Sequence, residues 1–488
     1  MFDTSVILQF CKPDLVRVVV LTLAIGTWVI VKQLTIPKEL AHLPSVPILP
    51  LLWSYAKGEA ENERIERLIL PFANQKGEGV VVVYALGRWM IHVLDWKARV
   101  MVKEVLDNTE EFSKEVPPDG LLLWRLVGYS NVILANGEQW KRHSQIVKSA
   151  LSGRVPIEEF VSLSNKLFKR MANGGRFTID QLLMRFTLDA VGTTALGHDF
   201  DAIEDDNSPF VREYGTVMEA ISNPLYLIFP RLEKWAPRLQ LAKQIDSLRV
   251  KFDVLMEEKR EKPGKDMFTF MLEHPEMTND ECRDNMVVFF IAGHDTAAGS
   301  LASMVYYLAR NSKIQEKARE EVMRVLGCKE PTQEILRSMP YLLACIREAL
   351  RLNTPITYIV PRSASRALDL HGVSKSYAIP EGASLIMNLT AVHHNSTYYT
   401  EPEKFNPDRW LGKNDMSSTW LPFASGPRQC PARNFAMYEI RTLAAMMLRD
   451  WEWTLPPYSP HQERIRNGPS PFALSLPKDL DVDFVRRK

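Results

Sequence analysis

The sequence predicts a mainly α-helical protein packed around one large core, and three observations lead to that class. Hydrophobic residues make up 46% of the 488 residues, which supports an extensive interior. The most persistent apolar pattern, from Thr278 to about Arg310, has the period of a helix and is apolar nearly all round between Met286 and Ala292. Such a helix crosses the interior rather than lying on the surface. Further helical patterns run from Tyr341 to Leu352 and begin again just after Cys430. No Gly/Ser linker, low-complexity tract or internal repeat divides the chain.

Charge and cysteine usage exclude some classes of function. Sixty basic and fifty-nine acidic residues leave a formal charge of +1, which argues against a dedicated nucleic-acid binder. The five cysteines (Cys11, Cys282, Cys328, Cys345, Cys430) are scattered and have no CxxC spacing, as expected of a reducing compartment without a disulfide framework.

At the N-terminus, residues 18–31 are uncharged and apolar, and the pattern extends over residues 15–36 if Arg17 and Lys32 snorkel. Fourteen helical residues span about 21 Å, short of the roughly 30 Å hydrocarbon core; the longer version reaches across. No small-residue cleavage site follows Val31, so the segment reads as an uncleaved anchor rather than a signal peptide. Residues 1–36 are therefore expected to be a membrane anchor. Residues 37–50, with Pro37, Pro44, Pro47 and Pro50, are expected to be a stiff stalk, leaving residues 51–488 as the folded domain.

Within that domain, Gly137–His143 opens a helical stretch containing Trp140 and Arg142. Thr278-Asn279-Asp280-Glu281 reads as a capping box for the long helix, and Ser312-Lys313-Ile314-Gln315 as a second cap. Inside the long helix, Ala292-Gly293-His294-Asp295-Thr296 sets helix-unfriendly glycine and threonine around an acid. Threonine bonding back to the preceding turn, with Gly293 lacking a side chain, predicts a groove able to hold water or a small ligand. His294 is read as a groove residue rather than a metal ligand. Glu348 and Arg351 share a helix face at i, i+3, and Arg409 follows in Pro402–Trp410. His393-His394 has no partner ligands at metal-binding spacing and reads as a structural turn.

Residues 423–433 carry the most chemistry. Cys430 stands between Arg428 and Arg433, just before a helix. Neighbouring cations and a helix N-terminus both favour a thiolate, the form that ligates metals. Gly426 allows a tight turn against a flat ligand, and Phe423 supplies an apolar floor.

The spacing of Phe423, Gly426, Arg428 and Cys430 resembles the haem-binding loop of the cytochrome P450 superfamily, where a cysteine thiolate is the axial iron ligand. From about residue 37 onward, the order of the other segments is similar too. Gly293-His294-Asp295-Thr296 resembles the oxygen-activation motif. Glu348 and Arg351 with Arg409 resemble a Glu–Arg–Arg cluster bracing the cysteine loop. Trp140, with Arg142 or His143, and Arg362 stand where propionate donors are expected. Three departures are visible: Ala432 past the cysteine, Ala297 behind the acid–alcohol pair, and Ser144 in place of an arginine.

The resemblance implies an α+β fold, mainly α with small β-sheets. It places a long central helix over haem b and the cysteine loop on the proximal side. It implies a monooxygenase in which Asp295 and Thr296 deliver protons, Cys430 holds iron, and Phe423, Gly426, Arg428, Trp140, Arg142 and Arg362 contact the cofactor. No Gly-rich dinucleotide signature precedes a helix, so electrons are expected from a separate NADPH–cytochrome reductase, with cytochrome b5 as a second candidate donor. The general look is fungal and microsomal, which implies an endoplasmic-reticulum anchor and a cytosolic domain.

By family position, the substrate should meet residues 116–127, 205–235, 289–296, 355–360 and the tail at 469–472. These include Leu121, Leu122, Leu123, Trp124, Phe289, Phe290, Ile356, Tyr358 and Ile359. The set implies a bulky lipophilic molecule, steroid- or terpenoid-like as the first expectation. A fatty-acid or xenobiotic hydroxylase is an alternative. An isomerase or dehydratase on the same scaffold is another, against which the intact Asp295-Thr296 pair counts.

Overall fold

A computed structural model describes residues 13–94, 104–153, 155–205, 208–371, 376–412, 419–468, 470 and 474–487. Cys11, the first residues of the expected anchor, and all of 469–472 except Ser470 lie outside the described residues.

The central helix, Asn279–Arg310, runs through the interior, and residues 286–288 and 297–306 of it are almost wholly buried. The capping box that starts it is formed: Glu281 N–H donates to Thr278 Oγ1 at 3.2 Å, and Thr278 N–H donates to Glu281 Oε2 at 3.0 Å. The next helix, Ser312–Val325, lacks the side-chain cap expected at Ser312. Its Gln315 instead donates to Leu308 O and Trp453 O at 3.1 and 3.0 Å. That ties the turn between the helices to the C-terminal sheet.

Around the central helix pack Ile179–Val191, Pro340–Leu352 and Arg433–Asp450. Gly293 is needed for the first of these contacts: a Cβ there would stand 2.6 Å from Val191 Cγ2. Its missing side chain therefore admits a neighbouring helix, not the expected groove. The largest core cluster joins these four helices, with Trp451 and Trp453 fully inside.

The sheets are small. Strands β1 (Val80–Ala85), β2 (Arg88–Val93), β3 (Phe112–Lys114), β5 (Arg362–Ala364) and β8 (Ser384–Met387) form one sheet in the order β1-β2-β8-β5-β3. In the second, β10 (Asp481–Arg486) lies between β4 (Gly175–Thr178) and β9 (Trp451–Thr454), and β6 (Leu368–His371) pairs with β7 (Ser376–Ile379).

Pro13–Leu34 is a 22-residue helix on which Val18, Val20, Leu21, Leu23, Ile25, Trp28, Ile30 and Val31 are exposed. Its end is fixed to the domain by Gln33, which donates to Tyr84 Oη at 2.7 Å. The proline-rich stretch after it does not stand off as a stalk. Leu40, Leu43 and Val46 are buried against the first sheet, and Val46 N–H donates to Val82 O at 3.0 Å. Apolar residues spaced between the prolines explain this packing.

Candidate active site

Cys430 ends a loop held by its own backbone. The Cys430 N–H donates to Phe423 O and the Gln429 N–H to Gly426 O, each at 3.0 Å. Gly426 has φ +76°, and a Cβ on it would lie 2.6 Å from Asp107 Oδ1 and 3.0 Å from Leu106 O. The glycine is thus required by the turn and by a neighbouring chain segment. Phe423 and Trp420 lie under Arg433, whose guanidinium is 5.8 and 5.5 Å from their ring centroids.

The cations beside Cys430 are arranged otherwise than their spacing suggested. Burial pushes the thiol up, opposed by the Ala432 N–H and by Arg433. Arg428 turns away, donating from Nη2 to Ala135 O and Asn136 Oδ1 at 2.7 and 3.1 Å. Metal coordination, which deprotonates a thiol outright, is then the stronger source of a thiolate.

Behind the loop, Glu348, Arg351 and Arg409 come together. Arg351 grips Glu348 bidentately, Nε to Oε2 at 3.0 Å and Nη2 to Oε1 at 2.8 Å. Arg409 Nε and the Asn406 N–H donate to Oε1 at 2.9 and 3.1 Å, and Trp410 Nε1 to Oε2 at 2.8 Å. Arg351 Nη1 also donates to His393 O at 2.8 Å, while His393 Nε2 accepts the Leu421 N–H at 3.0 Å. His393 therefore joins the brace to the start of the cysteine loop, a role its sequence position showed only as a turn.

On the central helix, Thr296 Oγ1 donates to Ala292 O at 2.9 Å, the back-bond expected of a mid-helix threonine. Asp295 Oδ1 lies 3.1 Å from His294 Nε2, and His294 Nδ1 is 2.5 Å from Phe290 O. Burial works against the His294 charge, but Asp295 outweighs it and raises the imidazole pKa. His294 is not in the groove, as its sequence suggested: its ring packs on Tyr214 and Phe290.

Thr296 lines an apolar cavity of about 160 Å³. Leu121, Leu122, Leu123, Trp124, Ile356 and Tyr358 line it as expected. Phe289, Phe290 and Ile359 are not among its lining residues. The helix presents Val288, Ala292 and Thr296, one face at i, i+4, i+8, while Phe290 joins Phe200, Phe210 and Phe252 on the far side.

Three cations collect near the other end of this region. Arg362 on β5 pairs in register with Lys114 on β3. Like charges directly opposite one another destabilise a sheet, and both residues are buried. Arg362 donates from Nη1 to Phe112 O at 2.8 Å, but its Nε and Nη2, and Arg428 Nε, have no partner among the described residues. Burial lowers Arg362 to about 10; burial and then Arg362 lower Arg428 to about 9; burial and then both arginines lower Lys114 well below its usual range. No ion-pair partner serves any of the three among the described residues.

Trp140 joins them, its ring 4.1 Å from the Arg428 Cζ. Arg142 does not. Two residues along the helix Gly137–Ala150, it faces elsewhere and pairs with Glu281. Burial opposes that carboxylate, yet the Thr278 N–H, Gln139 and His143 bring it down to about 2. Ser144, one turn beyond Trp140, occupies the matching face and is buried. Lys114, invisible as a motif, is the third cation of this group where Arg142 was expected.

A cysteine before a helix, a braced loop and buried cations without counter-ions among the described residues suit a protein that holds an anionic, metal-bearing cofactor. The cytochrome P450 family model matches residues 44–480. The chain is 25% identical over 473 residues to the cytochrome P450 monooxygenase xanG of Aspergillus fumigatus, covering 87% of this chain and 84% of that one. It is 27% identical over 390 residues to cytochrome P450 3A2 of Rattus norvegicus, covering 72% and 76%. The crystal structure of the cytochrome P450DA heme domain superposes with a TM-score of 0.76 at 23% identity, over 91% of this chain and 97% of that one. The chain belongs to the cytochrome P450 family, monooxygenases whose cofactor is haem b.

The residues present fit that cofactor. Haem b carries two propionate carboxylates, the counter-ions that Lys114, Arg362 and Arg428 lack, and an iron for which Cys430 is the available soft donor.

Proposed function

We propose that the chain hydroxylates C–H bonds of a lipophilic substrate, steroid- or terpenoid-like, with electrons from a separate NADPH–cytochrome reductase. The carrying observation is the Thr296 hydroxyl, presented by the central helix on the wall of a largely apolar cavity. A largely apolar chamber with a hydroxyl on the central helix suits oxygen insertion, which needs protons delivered singly and water kept out. When bound, haem b supplies the iron at which dioxygen is reductively activated.

In this reading Cys430 would ligate the iron, and Lys114, Arg362, Arg428 and Trp140 would hold the propionates. The Glu348 cluster keeps the cysteine loop in place. A proton would pass through the His294–Asp295 pair toward Thr296, whose hydroxyl turns from Ala292 O to donate it onward. The exposed apolar helix Pro13–Leu34 supports a single N-terminal anchor in the endoplasmic reticulum membrane, with the catalytic domain cytosolic.

The test is spectroscopic and chemical. Reduced protein under carbon monoxide should show the red-shifted Soret band of thiolate-bound haem, and Cys430→Ala should abolish it. Labelled O₂ should enter sterol, steroid or terpene products when reductase and NADPH are supplied. An imidazole-type spectrum in the wild type, or unlabelled product, would overturn the reading. Thr296→Ala should divert reducing equivalents to hydrogen peroxide; undiminished coupling would remove Thr296 from proton delivery.

A further inference from the structure

Among the described residues lining the Thr296 cavity, Arg238 alone is charged. It stands at the start of the helix Leu239–Glu261. Its side chain is held on three sides. Nε donates to Glu233 Oε2 at 2.9 Å, Nη1 donates to Ala220 O at 2.8 Å, and the guanidinium lies over Tyr226, 3.9 Å from the ring centroid. The Arg238 backbone N–H also donates to Glu233 Oε1, at 2.7 Å, so the carboxylate is fixed as firmly as the cation. Their side chains are only 17% and 9% exposed. Nη2 is left without a partner among the described residues.

The surroundings of Nη2 determine what it can take. One carboxylate already balances the guanidinium, so the pair brings no net charge to the cavity. A second carboxylate entering with a ligand would be an uncompensated anion in an apolar chamber, close to Glu233. A neutral oxygen acceptor meets neither penalty and gains a charge-assisted hydrogen bond from a donor that is already oriented. Apart from the Thr296 hydroxyl and the tyrosine phenols, the remaining wall is hydrocarbon and aromatic and selects a rigid or bulky lipophilic body.

We propose that Arg238 anchors the substrate by a neutral carbonyl or hydroxyl oxygen, so that the site takes uncharged oxygenated lipids over carboxylic acids of the same skeleton. This rests on the cavity being the substrate chamber of the monooxygenase described above. It favours ketone- or alcohol-bearing polycyclic or terpenoid molecules over free fatty acids.

Equilibrium dialysis of the full-length, haem-loaded protein in detergent tests it. Three skeletons (a steroid, a sesquiterpene and a sixteen-carbon chain) are each presented as ketone, parent hydrocarbon and carboxylic acid. On the skeleton bound most tightly, the ketone should exceed both hydrocarbon and acid by about tenfold. Arg238→Leu should remove the ketone's advantage and leave hydrocarbon binding within about twofold. Glu233→Gln should reverse the order, with the acid gaining about tenfold over the ketone. A wild-type preference for the acid, an equal loss of all three ligands in Arg238→Leu, or no ketone bound on any skeleton overturns the proposal. If Arg238→Leu fails to fold, the wild-type order and Glu233→Gln decide. The carbon monoxide spectrum of the same preparation reads the haem–thiolate assignment separately, so failure of the anchor and failure of the enzyme reading are distinct results.

Discussion

Replacing Glu348 by alanine removes an acceptor that takes two hydrogen bonds from Arg351 and one each from Arg409, Asn406 and Trp410. Arg351 is wholly buried and Arg409 only 8% exposed. After the change Arg351 retains only the carbonyls of His393 at 2.8 Å and Lys404 at 3.4 Å. Breaking a buried pair by deleting one partner costs about 3–5 kcal/mol. Two guanidiniums share this carboxylate, which puts the expected loss at the upper end, about 4–5 kcal/mol. Equilibrium urea unfolding of the detergent-solubilised protein, followed by far-UV circular dichroism, measures it. A cycle with Arg351→Ala should show the double variant losing at least about 2 kcal/mol less than the sum of the singles, since removing both charges leaves less unpaired. A Glu348→Ala loss under about 1 kcal/mol, or strictly additive singles, would refute the brace.

Gly426→Ala should cost about 2 kcal/mol, from the left-handed backbone and the contacts with Asp107 and Leu106; an unchanged urea midpoint would contradict this. Glu439 is buried, and neither carboxylate oxygen has a partner among the described residues, so burial holds its pKa far above the usual range. The native state then keeps a proton that the unfolded chain releases above about pH 4.3, and stability falls as pH rises. Glu439→Gln should therefore stabilise the protein by about 1–3 kcal/mol at pH 7.5, with the gain vanishing near pH 4; a gain independent of pH would count against it. Arg362→Met should act in opposite directions on two readouts. It should speed haem loss to an acceptor protein, and it should raise the urea midpoint of the haem-free chain; a lowered apo midpoint would show that Arg362 is chiefly structural.

Much of the site was legible because its parts sit in short, ordered motifs. The capping box and the Glu348–Arg351 pair depend on local spacing, and Arg409 joins that pair from a short motif downstream. What escaped depends on tertiary registry. Lys114 becomes significant only when a three-residue strand pairs it opposite Arg362. Arg142 looked suitable by residue type, but helix period directs it to Glu281, the same carboxylate that caps the central helix. Phe289 and Phe290 were hydrophobic on an interior helix, a description that fits its cavity face and its packed face equally well. The glycines misled in a similar way. Gly293 and Gly426 both make room for neighbouring parts of the protein, Val191 in one case and Leu106–Asp107 in the other.

The cation cluster also links cofactor and stability. A like-charge pair in register across a sheet, with a third cation close enough to lower Lys114 further, opposes folding of the chain alone. Such a conflict between local pairing and burial is expected where a functional group supplies the missing charge. Two propionates would turn three mutually repelling cations into paired ones, so cofactor binding should contribute directly to folding free energy. The cysteine side lacks this bias: its loop is already closed by backbone bonds and buttressed through Glu348 and His393. In the proposed reading the fold divides the task, holding the thiol in place beforehand and leaving the cation cluster to be completed by the ligand's carboxylates.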